Sequence, residues 1–174
     1  NGAKHALVNA FYAILNEGDE VLIPTPFWVS YPEMVRIAGG EPKFIETTEE
    51  SNFKFTARDF ENAITPKTKA IIVNSPSNPT GMVYTEDELR AIADVAVKHN
   101  IFVISDEIYS ELSYAEEHVS IASIPGMRER TIVINGFSKS YAMTGWRLGY
   151  ACGPKEIIEQ MTKVHQYAIM CAPT

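Results

Sequence analysis

Cysteine is nearly missing from this sequence, and the two that occur, Cys152 and Cys171, have neither metal-ligand spacing nor the makings of a paired framework. That excludes a zinc-stapled or disulfide-stapled scaffold, fits a reduced cytoplasmic setting, and leads us to expect two buried thiols and no metal site. Long apolar runs are missing as well. No stretch approaches the ~20 residues of a membrane-crossing helix, and the first residues do not form a charged-then-apolar leader, so no membrane partner is expected. Positive charge is in deficit: 15 Lys and Arg face 22 Asp and Glu, for a net charge of −7. Without a basic cluster to offset that average, a nucleic-acid surface is excluded, although a local positive pocket is not. Repeats, low-complexity tracts and interdomain linkers are absent too. The chain begins at Asn1, without methionine and already inside a motif. It is therefore expected to be a piece of a longer protein.

What is present is enough for one core: 174 residues, 45% of them hydrophobic. Apolar residues at helical spacing from Ala6 to Leu15 predict a helix over residues 1–17 that Gly18 ends. Strands are predicted at Val21–Pro24, Pro42–Ile45, Ala70–Asn74, Ile101–Ser105 and Thr131–Asn135. Another resumes at Arg147–Ala151. Between them lie a helix reaching about Ala38, a short one opened by Thr56 with Asp59, and one opened by Thr85 with Glu88 that ends near His99–Asn100. A last helix opens after Gly153–Pro154 with Ile157, Ile158, Met161 and Val164 inward. Regular alternation of strand and helix predicts an α/β fold, a mostly parallel sheet between helical layers.

The chemistry concentrates at strand exits. After Thr131–Asn135, the stretch Gly136-Phe-Ser-Lys139 leads through Ala142-Met143 and Gly145 to Arg147-Leu-Gly149. A lysine in such a loop can form a Schiff base with an aldehyde if its surroundings lower its pKa, and an arginine fork can clamp a phosphate. Burial of Lys139 beside other cations is the expected means. At the opposite end of the chain, Asn1-Gly2-Ala3 offers backbone N–H groups at a helix start, where an anion is favoured. The exit Thr25-Pro-Phe-Trp-Val-Ser-Tyr31 is rigid and aromatic, and Trp28 suits a projecting ring better than Phe27. Ser75-Pro-Ser-Asn-Pro-Thr-Gly81 cannot be helical and holds the Asn78 amide between fixed neighbours. Asp106 ends a buried strand, where ligands bind in open α/β sheets, with Glu107 and Tyr109 beside it. By alternation Glu107 faces away from Asp106 and reads as a structural carboxylate. His118, in the acidic loop Ala115-Glu-Glu-His118, is expected to be exposed.

Three of these stretches, Gly136-Phe-Ser-Lys139 with Arg147-Leu-Gly149, Asn78-Pro-Thr-Gly81, and Asp106-Glu-Ile-Tyr109, together resemble the class I and II aminotransferases, which depend on pyridoxal 5'-phosphate. The likeness runs along essentially the whole chain but covers the cofactor-binding large domain of that family alone. It implies that residues 1–174 lack the family's N-terminal segment, its C-terminal small domain with the substrate-carboxylate arginine, and a tyrosine supplied by the partner subunit of a homodimer. It also implies an antiparallel arginine-bearing strand.

By the same resemblance, Lys139 would hold the cofactor covalently and serve as general base. Asp106 would pair with the pyridinium, Trp28 would stack on the ring, and Asn78 and Tyr109 would hold the phenolate oxygen. Gly2, Ala3, Arg147 and Ser138 would seat the phosphate. Lys4, with Trp28 and Asn78, would meet the substrate, and Lys4 could read the distal carboxylate of aspartate or glutamate. The reaction implied is ping-pong transfer of an amino group from an amino acid, acidic or aromatic, to a 2-oxo acid. Two other readings share the same residues: a same-fold carbon–sulfur lyase, and the cofactor-sensing effector domain of a transcription regulator. The segment alone is expected not to turn over.

Overall fold

The computed structural model describes residues 1–114 and 117–171. Its order is α1 (Gly2–Ile14), β1 (Glu20–Pro24), α2 (Tyr31–Ile37), β2 (Glu41–Ile45), α3 (Ala57–Ala63), β3 (Thr68–Asn74), α4 (Glu86–His99), β4 (Phe102–Asp106), β5 (Thr131–Gly136), β6 (Gly149–Cys152) and α5 (Lys155–Ala168). The strands form one sheet in the order β2-β1-β3-β4-β5-β6. All neighbours are parallel except β5 and β6, which run antiparallel. The strand after the arginine is antiparallel, as the family resemblance implied.

Period-two alternation divides the strand side chains between two cores. Leu22, Ile71, Val73 and Val103 pack with Phe60 of α3 and with Leu89, Ile92 and Ala96 of α4. Val21, Ile23, Ile72, Ile104, Ile132 and Ile134 pack on the other side with Leu7, Phe11 and Ile14 of α1, Met34 of α2 and Met161 of α5. The three-layer expectation therefore stands. Both expected capping boxes are formed, Thr56 with Asp59 and Thr85 with Glu88, each satisfying amides that the first turn leaves unpaired. α4 ends on left-handed Asn100, φ 55°.

Several sequence expectations need correction. α1 stops at Ile14, where Leu15 turns extended, and Gly18 at φ 81° serves the turn into β1 instead. Arg147 lies outside the strand. It is left-handed, φ 52°, and closes a short 3-10 turn over Thr144–Trp146 before β6 begins at Gly149. Cys152 and Cys171 are both exposed, because β6 is the sheet edge and Cys171 lies beyond the end of α5. Ala115 and Glu116 of the acidic loop fall outside the described residues.

Parallel pairing brings the carboxyl ends of β1, β3, β4 and β5 to one edge of the sheet. β6, being antiparallel, starts at that same edge, with Gly149 opposite Gly136. α1 also begins there: a Cβ on Gly149 would sit 2.5 Å from the Ala3 nitrogen, so only glycine lets the strand meet the helix start.

Candidate active site

Neighbouring strand ends put the first functional groups side by side. Asn74 and Asp106 are register partners at the tips of β3 and β4. Asn74 Nδ2 donates to the Asp106 carbonyl at 2.8 Å and to the Pro76 carbonyl at 3.2 Å, while its Oδ1 accepts from the Asn78 amide at 2.8 Å. One side chain thus ties the Asn78 loop to the strand that bears Asp106. Asn78 Nδ2 then reaches the Tyr109 hydroxyl, at 3.4 Å.

Asp106 is 3% exposed. Its Oδ2 accepts from the Tyr31 hydroxyl at 2.6 Å and its Oδ1 from the Ile108 amide at 3.2 Å. Burial pushes its carboxyl up to about 6, against the pull of those two hydrogen bonds, with the neighbouring Glu107 adding to the rise. Burial, and then the Asp106 carboxylate, also hold the Tyr31 phenol well above its ordinary range, so Tyr31 acts as a donor here. Tyr31 meets the Trp28 ring edge-on, centroids 5.4 Å apart, and Lys4 Nζ lies 5.0 Å from the Trp28 ring centre.

Across from this wall, Lys139 Nζ stands 5.6 Å from the centre of the Tyr109 ring. The expected burial of Lys139 is not found. Its side chain is exposed, because the segment between β5 and β6 lies over the sheet edge and not between layers. Arg147 donates through Nη1 to the Thr144 carbonyl at 2.8 Å and through Nη2 to the Asn1 carbonyl at 3.3 Å. Gly2 makes room for it. A Cβ at this residue, whose φ is 77°, would lie 2.6 Å from Nη2.

These parts enclose a cavity of about 200 Å³, walled by Ala3, Lys4, Trp28, Tyr31, Asn74, Asn78, Asp106, Tyr109, Ser138, Lys139 and Arg147 among others. Every expected site residue except Gly2 lines it, and Gly2 lies directly behind Arg147. Among the described lining residues, the cations Lys4, Lys139 and Arg147 face the single carboxylate of Asp106, so a chain with a net charge of −7 presents a positive cavity. A wider depression, lined by Arg128, Glu129, Pro154 and Lys163 among others, lies at the opposite end of β5 and holds none of these groups.

Comparison with known proteins decides the family. The model for aminotransferase class I and II matches residues 1–174. The chain belongs to the class I and II aminotransferases. It is 59% identical over 169 residues to the aspartate aminotransferase of Bacillus sp. (strain YM-2), covering 96% of this chain and 43% of that protein. It is 52% identical over 163 residues to the aspartate/prephenate aminotransferase of Thermus thermophilus, covering 94% of this chain and 42% of that one. Among solved structures, a Thermus thermophilus aspartate aminotransferase double mutant superposes with a TM-score of 0.95 at 49% identity, over 98% of this chain and 44% of that one. The aromatic aminotransferase of Pyrococcus horikoshii OT3 does so equally, with a TM-score of 0.95 and 49% identity over 98% of this chain and 46% of that one. The chain therefore spans less than half the length of the relatives it matches.

Tyr31 and Asn74 were not singled out from the sequence. Tyr31 sits three residues past Trp28 in the same aromatic exit, and Asn74 ends the buried strand β3. A polar residue in each of those contexts was the available signal. One other reading holds and one changes. Glu107 does face away from the cavity, as alternation required, but His118 is not exposed: its side chain is 15% accessible and its Nε2 lies 3.0 Å from Glu107 Oε2.

Proposed function

We propose that this chain is the cofactor-binding large domain of a longer aminotransferase that moves an amino group from an amino acid to a 2-oxo acid with the help of pyridoxal 5'-phosphate. The carrying observation is that the Lys139 amine and the Asp106 carboxylate line one small positive cavity, with Arg147 seated against Gly2 at its rim.

The residues present fit that cofactor. The Gly2 gap admits a guanidinium at the helix start. Arg147, the first amides of α1 and Ser138 would hold a phosphate. Asp106, already supplied with the Tyr31 and Ile108 donors, would keep a proton on a ring nitrogen. Asn78 and Tyr109 would donate to a phenolate oxygen, and Trp28 would cover a ring face. When bound, pyridoxal phosphate supplies an electron sink for the negative charge left on the substrate's α-carbon. Lys139 Nζ would take the proton from that α-carbon and pass it on towards the cofactor, as transfer of the amino group requires. Lys4, held at the Trp28 face, places a cation where a substrate's distal carboxylate would lie, which favours aspartate or glutamate.

A homodimer in the cytoplasm completes the proposal. The exposed aromatics Tyr141, Trp146 and Tyr150 beside the cavity support the first part, and two unpaired, exposed thiols support the second. Neither the lyase nor the regulator reading has support from the relatives named above. The test uses the full-length protein. With pyridoxal phosphate and borohydride, the cofactor should be fixed onto a peptide containing Lys139. Labelling of a different lysine overturns the assignment.

A further inference from the structure

The carboxylate next to Asp106 has no part in the reaction described above, yet its side chain has three polar partners, as many as Asn74 at the cavity wall. Glu107 is 6% exposed. Its Oε1 accepts from Ser105 Oγ at 2.8 Å and from Ser120 Oγ at 2.6 Å, and His118 Nε2 stands 3.0 Å from its Oε2. A buried charge left with fewer partners would be costly, so the three groups are there for the carboxylate and it in turn fixes them. Two of the three come from the far end of a loop. Ser120 and His118 lie 13 and 11 positions along the chain from Glu107, so the carboxylate closes the segment 107–120 on itself.

What lies inside that closed segment is part of the candidate site. Glu107 is also anchored through its backbone, its amide donating to the Ile134 carbonyl of β5 at 2.9 Å and its carbonyl accepting from the Ser110 amide at 2.9 Å. Leu112 donates to the Tyr109 carbonyl at 2.8 Å, and Asn135 Nδ2 donates to Ser110 Oγ at 3.2 Å. Tyr109 therefore rides on a tight turn that begins at Glu107 and is held from behind by its side chain. Because strand side chains alternate, the carboxylate can grip the reverse side of the sheet while Asp106 faces the cavity.

We propose that Glu107 is a positioning residue: by binding Ser105, Ser120 and His118 on the reverse side of the sheet, it fixes the turn that aims Tyr109 into the cavity beside Asp106. This rests on the reading of the cavity as a pyridoxal-phosphate site. The closing experiment separates the two.

In the full-length protein without cofactor, Glu107→Ala should speed hydrogen exchange of the amides from Ile108 to Leu112 about tenfold or more, while Glu107→Gln, whose amide oxygen can still accept from both serines, should stay within about threefold of wild type. Titrated with pyridoxal phosphate, Glu107→Ala should bind about tenfold more weakly and Glu107→Gln close to normally. Tyr109→Phe, which weakens binding severalfold on its own, should add nothing in the Glu107→Ala background, since a misaimed hydroxyl has nothing left to lose. Full additivity, or unchanged exchange in Glu107→Ala, overturns the proposal. If Glu107→Ala does not fold, Ser120→Ala carries the same tests with changes of about threefold. Wild-type protein that fails to bind pyridoxal phosphate would sink the proposed function, and the exchange measurement would still decide whether Glu107 holds the turn.

Discussion

On one side of the cavity, Tyr31, Asn74, Asn78 and Asp106 are bonded to one another and to the strand ends, and Tyr31 and Asp106 are buried. On the other, Lys139 and Arg147 ride on residues 137–148, none of which is buried and two of which, Ala142 and Arg147, sit at φ 52° without being glycine. Left-handed backbone at a residue with a Cβ costs about 1–2 kcal/mol, and that segment has little packing to offset it. The first wall is therefore finished by the fold. The second is held by far less packing. Under the proposed function the division would suit the chemistry, with Asp106 held firmly and Lys139 accessible.

The rigid wall is tested most severely at Asp106. Asp106→Asn keeps the shape and the Tyr31 contact but removes the charge. A buried charge pair is worth about 3–5 kcal/mol when one partner is lost, so kcat should fall roughly 10²–10⁴-fold in the full-length enzyme. The same residue makes a prediction for the cofactor-free protein. Its carboxyl is raised from an ordinary 3.8 to about 6, so folding favours the protonated form. Stability from this group is fully present below about pH 4 and is lost as pH rises through about 6. The total is on the order of 3 kcal/mol. Urea unfolding of wild type between pH 4 and 7 should show that decline, and Asp106→Asn should lack it. An identical slope in both proteins would mean that the buried carboxyl is not the strained group of the rigid wall.

How far the sequence disclosed this contrast depends on the kind of signal each residue leaves. Asn78, Asp106, Lys139 and Arg147 sit in distinctive strings beside strand ends, and the structure brings all four to one cavity. Tyr31 and Asn74 support them through contacts between segments far apart in sequence. Tyr31 and Asp106 are 75 positions apart, and no local pattern reports such a pair. Alternation gave the direction of Glu107 correctly. It could not show that His118 returns across the loop to meet it, because a histidine in an acidic, polar stretch has the composition of a solvated one. The exposure of Lys139 and the two thiols was missed for a related reason: whether a layer covers a segment is a property of topology, not of the segment.

Gly2→Ala tests the looser wall at the point where it touches something firm. The new methyl would meet the far end of the Arg147 side chain and would also force φ 77° on a residue with a Cβ. The helix should still form, since the clash is with a flexible side chain. The guanidinium, however, must leave its place. Losing that placement and straining the backbone together should weaken pyridoxal phosphate binding by roughly 30-fold, or about 2 kcal/mol. Affinity within threefold of wild type would show that the gap at Gly2 does not seat Arg147, and that the second wall finds its geometry by other means.

The smallest expected effect concerns Lys4, which stands on the rigid side but is itself exposed, with its ammonium over Trp28. The fold cannot decide the substrate, because an aspartate aminotransferase and an aromatic aminotransferase superpose on this chain equally well. The cation can be tested directly. If Lys4 pairs with the distal carboxylate, that charge-assisted contact is worth about 1.5–3 kcal/mol. Lys4→Ser should then lower kcat/KM for aspartate about tenfold or more and leave phenylalanine nearly unchanged. Equal losses for both amino acids would assign Lys4 to steadying Trp28 and the cofactor. In that case the rigid wall would extend to Lys4, and substrate choice would have to come from other residues.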